Sequence, residues 1–280
     1  MYYLKKIAKK FINLLVRVIG LNPYIKTIRS LPMGIRIQNK MIYAANCQDF
    51  RRLIKTQRFY YQSDCNDALN FSARLDFTNW EVDSRLTFSK LAQSAELILD
   101  IGSYTGVYAM TAALNSPTAS IIAFEPNPII GKNLTRNIAI NDLSSRIEVQ
   151  QIALSDSNGH INLHVGKDSS MATILSLDIE NSKSPEEIFQ VIAKPLDDFV
   201  FLKPISLIKV DIEGSELDFL EGAQVTLQSH SPVILMEALN EHEFQKQSRF
   251  LQSIGYMCLG PAGVSTGDER NFLWTKQLSE

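Results

Sequence analysis

From Glu96 to Ile254, short apolar runs alternate with stretches of helical period, and this alternation limits the fold more than any other feature of the chain. Buried parallel strands read as continuous apolar runs, and each parallel pair needs a crossover long enough for a helix, so the pattern predicts an α/β architecture. Strands are expected at Glu96–Ile101, Ser120–Phe124, Ile147–Ile152, Leu207–Ile212 and Val233–Glu237. Helices are expected at Tyr104–Leu114, Pro128–Ile140, Glu216–Ser229 and Glu241–Ile254, with another over Arg85–Gln93 feeding the first strand. Asp49–Tyr61 also has a helical pattern. The stretch 157–202 breaks the alternation. Its Gly159, its alternating Ile161–Val165 and its polar Asn181–Glu187 predict an inserted hairpin and loop over the carboxyl edge of the sheet, where open α/β sheets bind ligands.

A chain of 280 residues with 45% apolar content fills one catalytic-sized domain and leaves residues for an appendage. The expected division is an amino-terminal extension over 1–78 and the α/β domain over 79–280. The extension is basic: nine Lys or Arg and no acid precede Asp49, while the remainder is acidic. Wound at 100° per residue, Leu4, Ile7, Ala8, Phe11, Ile12, Leu14, Leu15, Val18 and Ile19 fall on an apolar arc of roughly 160°. Lys5, Lys6, Lys9, Lys10 and Arg17 fill the other side. Such a helix either packs on the protein's own core or lies at an anionic membrane surface, so residues 1–20 are a candidate peripheral contact. Asn13 and Arg17 argue against a signal peptide, and no window is apolar over the roughly 20 residues a span needs. Cys47, Cys65 and Cys258 are widely spaced, so a reducing, cytoplasmic setting is expected, at the inner face of the membrane if the helix binds there. His160 and His164 sit on one face of an expected exposed strand, and no zinc-type spacing occurs. The acidic domain and the lack of interleaved stacking aromatics in the basic segment argue against nucleic acid.

Chemistry enters where Leu97–Ile101 runs into Gly102-Ser103-Tyr104-Thr105-Gly106. Glycines between a strand and a helix let a ligand approach the backbone, although many nucleotide sites share this feature. Tyr104 stands where a dinucleotide fingerprint has its second glycine, which speaks against a pyrophosphate and so against a nicotinamide-dependent oxidoreductase, the rival enzyme reading. Asp100 would repel phosphate but suits an amino group. Glu125, at the end of the next strand, can accept hydrogen bonds from two ribose hydroxyls at once. Its plainer reading, a helix-capping acid, is weakened because Asn127 before Pro128 already makes a good cap.

These residues resemble the FkbM family of S-adenosylmethionine-dependent O-methyltransferases over roughly Asn79 to Trp274. The likeness rests on LILDIGSYTGVYAM (97–110), AFEPNP (123–128), NIAIN (137–141), IALSD (152–156), PLDDF (195–199) and IKVDIEGSELDFLEGA (208–223), together with Trp80-Glu81. The resemblance implies a class I, Rossmann-like methyltransferase: a seven-stranded, mostly parallel sheet with helices on both faces. It implies S-adenosylmethionine as cofactor, with Asp100, Gly102, Ser103 and Gly106 at its methionine and ribose end and with Glu81, Pro126 and Asp211 also among the residues that bind it. Glu125 would hold the ribose, and Asn127, Ala153 and Leu154 would lie toward the adenine. Ser103 and Tyr104 depart from the Ala and Asn usual in that turn, and Tyr104 would narrow the pocket.

Methyl transfer to a hydroxyl requires alignment and removal of a proton. Strand alternation places Asp211 and Glu213 on one side, where they can serve as base, attract the cationic cofactor, or help hold a divalent cation, although no metal site is assigned. Their plainer reading is charge balance for the following helix, with Ser215 as its cap. Glu237 and His242 are the other candidate catalytic groups. Spacing alone does not separate oxygen from nitrogen as acceptor; the resemblance points to a hydroxyl of a saccharide, glycolipid or natural product. A non-catalytic module that only binds S-adenosylmethionine is the remaining alternative.

Overall fold

The computed structural model describes residues 54–55, 59–61, 80–165, 172–173, 187–262 and 270–276. The amphipathic helix expected over residues 1–20 lies outside them, as does most of the extension. Helix α1 (Val82–Ala92) leads to strand β1 (Leu97–Ile101), and then α2 (Val107–Asn115), β2 (Ser120–Phe124), α3 (Pro128–Ile140) and β3 (Ile147–Gln150) follow. After the insertion come β8 (Ile205–Val210), α4 (Glu216–Glu221), α5 (Gln224–His230), β9 (Val233–Glu237), α6 (Glu241–Ser253), β10 (Tyr256–Pro261) and β11 (Asn271–Lys276). Seven strands form one sheet in the order β10-β11-β9-β8-β1-β2-β3. The five from β9 to β3 are parallel, and β11 pairs antiparallel with both β9 and β10.

The period of two along each strand divides the core. Ile98, Leu207 and Leu235 face Phe88 of α1, Ala109 and Ala112 of α2 and Leu134 of α3. Leu99, Ile208, Val210, Ile234 and Met236 face Phe219 of α4, Leu227 of α5 and Leu251 of α6. Helices therefore cover both faces, as the α/β pattern requires.

Several expected boundaries move. Phe59 and Tyr61 are buried in the α1–α3 core, and where Asp49–Tyr61 is described it is not helical: Ile54–Lys55 pairs antiparallel with Tyr60–Tyr61. The Asn141 amide takes the place of a neighbouring strand there, with 2.7 Å hydrogen bonds to both the N–H and the C=O of Tyr60. The strand expected over Ile147–Ile152 stops at Gln150, and β4 (Ala153–Leu154) joins a second sheet instead. That sheet has the order β4-β7-β5-β6, where β5 (Gly159–Val165) and β7 (Glu187–Lys194) form the expected hairpin and β6 (Ala172–Thr173) pairs with β5. On it His160 is exposed, whereas His164 is half-buried rather than on an open face. The helix expected over Glu216–Ser229 is two helices. A Cβ at Gly222 would meet the Ser155 carbonyl oxygen at 1.9 Å, and the Asp197 carboxylate receives Val225 N and Thr226 N at 3.0 and 2.7 Å, capping α5 afresh.

Candidate active site

The parallel strands β1, β2, β8 and β9 end at one edge, and a cleft of about 290 Å³ opens there. After β1 the chain turns through Gly102 (φ +75°), Tyr104 (φ +47°) and Gly106 (φ +92°). Gly102 N and Ser103 N both donate to the Phe124 carbonyl, at 3.1 and 3.0 Å, which ties this turn to the end of β2. A Cβ on Gly102 would stand 1.8 Å from the Asp211 carbonyl oxygen, so only glycine lets the turns after β1 and β8 approach this closely.

Glu125 emerges from β2 almost fully buried. Its Oε2 receives Tyr104 N and its Oε1 receives Asn127 N, each at 2.9 Å. A carboxylate has about four lone-pair sites, so both oxygens keep capacity for a ligand. Burial pushes the Glu125 carboxyl up to about 8, although both N–H donors oppose the shift. Asn127 caps α3 through Oδ1, receiving Ile129 N at 2.9 Å and Ile130 N at 3.3 Å, while its buried Nδ2 has no partner. Asp100, also buried, receives Ala109 N at 2.9 Å, and burial raises it to about 6.

Acids crowd the other end. The strand β8 stops at Val210, so the alternation expected to carry Asp211 and Glu213 to one side does not extend that far. Glu213 takes a left-handed φ of +53° and Gly214 a φ of +102°. Both acids nevertheless line the cleft, as does Glu237. Lys209 Nζ lies 3.2 Å from Asp211 Oδ2, and Arg270 Nη1 lies 3.2 Å from Glu237 Oε1. The Asp211 and Glu237 carboxyl groups also hydrogen-bond each other. Burial alone would raise Asp211, but Lys209 and the bond from Glu237 hold it below its usual range. Burial and the neighbouring Asp211 charge raise Glu237. Glu213 is pushed up to about 7 by burial and by Asp211 and Glu216. Glu216 serves the backbone instead, because its Oε1 receives Ile212 N and Gly214 N at 3.1 and 3.3 Å and so braces the loop. Ser215 opens α4 with no side-chain cap bond, contrary to its expected role.

Most of the residues expected at the cofactor converge. Glu81, Asp100, Gly102, Ser103 and Asp211 line the cleft, and Pro126, Asn127, Ala153 and Leu154 line it beside Glu125. Glu81 Oε2 receives the Tyr108 hydroxyl at 2.7 Å. Gly106 stands behind, at the start of α2, where a Cβ would meet Leu134 Cδ1 at 2.6 Å. His242 is not among the lining residues; its ring is 76% exposed, 3.5 Å from Glu243. Sequence reasoning missed Lys209, Tyr108, Arg270, and Leu163 of the hairpin, all of which line the cleft. An ionisable residue inside the apolar run Ile205–Val210 was a legible signal for Lys209, but nothing local marked the others. Among the described residues, no three His, Cys, Asp or Glu side chains converge as a metal cage.

Residues 100–275 match the Methyltransferase FkbM domain. Methyltransferase sdnD of Sordaria araneosa is 29% identical over 157 residues, covering 46% of this chain and 61% of that protein. 2-O-methyltransferase NoeI of Sinorhizobium fredii is 30% identical over 157 residues, covering 51% and 63%. Hexuronic acid methyltransferase AglP of Haloferax volcanii is 30% identical over 149 residues, covering 51% and 56%. The chain thus spans about three-fifths of the length of the curated relatives it matches. A methyltransferase FkbM structure from Methylobacillus flagellatus superposes with a TM-score of 0.48 at 16% identity, over 93% of this chain and 65% of that one. With the domain match running from the cleft-facing end of the first sheet strand to the last strand of the sheet, the chain belongs to the FkbM family of methyltransferases.

Proposed function

We propose that this chain is an S-adenosylmethionine-dependent O-methyltransferase acting on a hydroxyl of a saccharide, glycolipid or related small-molecule acceptor. The observation that carries the reading is the buried Glu125 carboxylate at the end of β2, tethered by Tyr104 N and Asn127 N, beside the close turn at Gly102. The residues fit the cofactor: Glu125 keeps acceptor capacity for a ribose diol, and the unpartnered Asn127 Nδ2 is a buried donor suited to an adenine nitrogen. Asp100 and Glu81 suit an α-amino group, and Ala153 and Leu154 suit the flank of the base. When bound, the cofactor supplies a methyl group on a sulfonium.

The chain's own residues then handle the acceptor. Glu213, whose carboxyl is poised near 7, is matched to take a hydroxyl proton at neutral pH. Asp211, held as a carboxylate by Lys209, orients the hydroxyl, and Glu237 faces it in the neutral form. The name 2-O-methyltransferase NoeI supports an oxygen acceptor, and the name hexuronic acid methyltransferase AglP supports a saccharide one. We also propose a cytoplasmic setting with peripheral membrane contact through residues 1–20, which a loss of liposome flotation on their deletion would support and unchanged flotation would refute.

The test incubates the purified chain with methyl-tritiated S-adenosylmethionine and a panel of neutral and acidic saccharides. Label in a base-stable methyl ether is expected. Label appearing only in amines or esters, or no label together with no binding of S-adenosylhomocysteine, would refute the reading.

A further inference from the structure

Lys209 stands on β8 between Ile208 and Val210, both fully buried, and is itself 1% exposed. An ammonium in such a place is costly unless surrounding charges offset the lost hydration, and an apolar side chain of similar length would fill the space more cheaply. The surroundings do offset it. In the sheet, Lys209 is in register with Asp100 of β1 on one side and Leu235 of β9 on the other. Its Nζ donates to Asp211 Oδ2 at 3.2 Å and to the Val210 carbonyl at 3.3 Å, and lies 5.2 Å from the centre of the Tyr108 ring. Glu81, ahead of α1, and Glu237, at the end of β9, also act on it. One buried cation therefore sits between the acid of the proposed cofactor end and the carboxyl pair of the acceptor end.

We propose that Lys209 is the positioning residue of the acceptor end: from beneath the cleft it acts through Asp211 to decide which of two facing carboxyl groups, Asp211 or Glu237, carries their shared proton. The purpose of this device rests on the methyltransferase reading, but its test does not. Asp211 has Lys209 on one side and Glu237 on the other, with Glu213 two residues on. Glu237 has Asp211 and Lys209 inside and Arg270, 58% exposed at the rim, outside. The cation nearer Asp211 is fully desolvated, whereas the one nearer Glu237 is screened by water, so the negative charge settles on Asp211. An incoming hydroxyl then meets a fixed hydrogen-bond acceptor rather than a pair that can exchange roles. Without Lys209 the two carboxyl groups compete for one proton, and the acceptor end loses its single defined state.

The experiment follows carboxyl carbon shifts of the full chain labelled with [¹³C]carboxyl Asp and Glu across the acidic and neutral range, assigned with Asp211→Asn and Glu237→Gln. Wild type, Lys209→Met and Lys209→Arg are compared, without cofactor or acceptor. In wild type, Asp211 should titrate well below Glu237. In Lys209→Met, the Asp211 midpoint should rise by about 1–3 pH units, the shift expected on losing an adjacent opposite charge, and the gap between the two should narrow. Lys209→Arg should restore the wild-type order. Unchanged Asp211 and Glu237 curves in Lys209→Met would overturn the proposal, because a lysine needed only for packing would leave them in place. Lys209→Gln serves the same comparison if Lys209→Met does not fold. Calorimetry with S-adenosylhomocysteine is run alongside. A wild-type chain that fails to bind it refutes the functional reading and leaves the titration result standing.

Discussion

Replacing Glu125 by Gln tests the cofactor site with a charge and almost no change of shape. The carboxyl is 6% exposed and raised by burial to about 8, so at neutral pH most of the free protein is protonated there. Ribose hydroxyls donate to the charged form and favour it, so binding should expel this proton. Affinity for S-adenosylhomocysteine should then rise with pH, by at most about tenfold per unit, and level off above about 8. Asp100, raised by burial to about 6, adds a smaller change of the same sign at lower pH. Hydrogen bonds to a charged group exceed neutral ones by about 1–1.5 kcal/mol each, so losing two charged bonds costs about 2–3 kcal/mol. In Glu125→Gln, binding above pH 8 should therefore weaken by about 30–150-fold, with a much smaller difference near pH 6. Folding stability gives an independent sign. Because the folded-state carboxyl is raised above its unfolded value, its contribution is fully present below about 4.5 and is lost as pH rises through about 8. That part of the pH dependence should vanish in Glu125→Gln. Isothermal titration calorimetry in buffers of different ionisation heat measures affinity and proton release together. Glu125→Gln binding within about threefold of wild type above pH 8, or no proton released when the wild-type chain binds near pH 7, would refute the reasoning.

Gly102→Ala forces a side chain into a φ of +75° and onto the Asp211 carbonyl oxygen. The backbone strain alone is about 1–3 kcal/mol, so thermal melting should fall by several degrees and S-adenosylhomocysteine binding should be lost; a wild-type melting curve would contradict this. The methyl-transfer rate should climb with pH through about 7 as Glu213 loses its proton, and Glu213→Gln should lower the rate and flatten that limb. A rate profile unchanged by the substitution would remove Glu213 as the base. His242→Ala should leave the rate within about twofold of wild type, because the ring is solvated away from the cleft; a large loss in a kinetic assay would bring it back into the site.

What was legible in the sequence was what local chemistry decides. Asn127 before Pro128 is a cap signal complete within two residues, and α3 begins and ends at the residues expected. The apolar runs of β2 and β9 match their strands for the same reason. Errors arose where distant parts of the chain decide. Lys209 to Ile212 alternates as a strand should, yet Glu213 and Gly214 turn left-handed and β8 ends at Val210, so Asp211 reaches the cleft from a loop. The helix expected over Glu216–Ser229 runs through Gly222, but the Ser155 backbone presses on that glycine and the helix breaks there. Arg270 reaches Glu237 because β11 lies antiparallel beside β9, a pairing that no short-range pattern encodes. Tyr108 reads as a core position on α2, and only the approach of Glu81 and Lys209 gives it a place at the cleft.

The most direct measurement is a structure of the chain with S-adenosylhomocysteine at saturation. The nucleoside should lie in the cleft at the ends of β1 and β2, with both ribose hydroxyls within hydrogen-bond distance of Glu125 and the base beside Asn127, Ala153 and Leu154. A cleft left empty, or a nucleoside bound with its ribose away from Glu125, would contradict the cofactor assignment on which the rest depends.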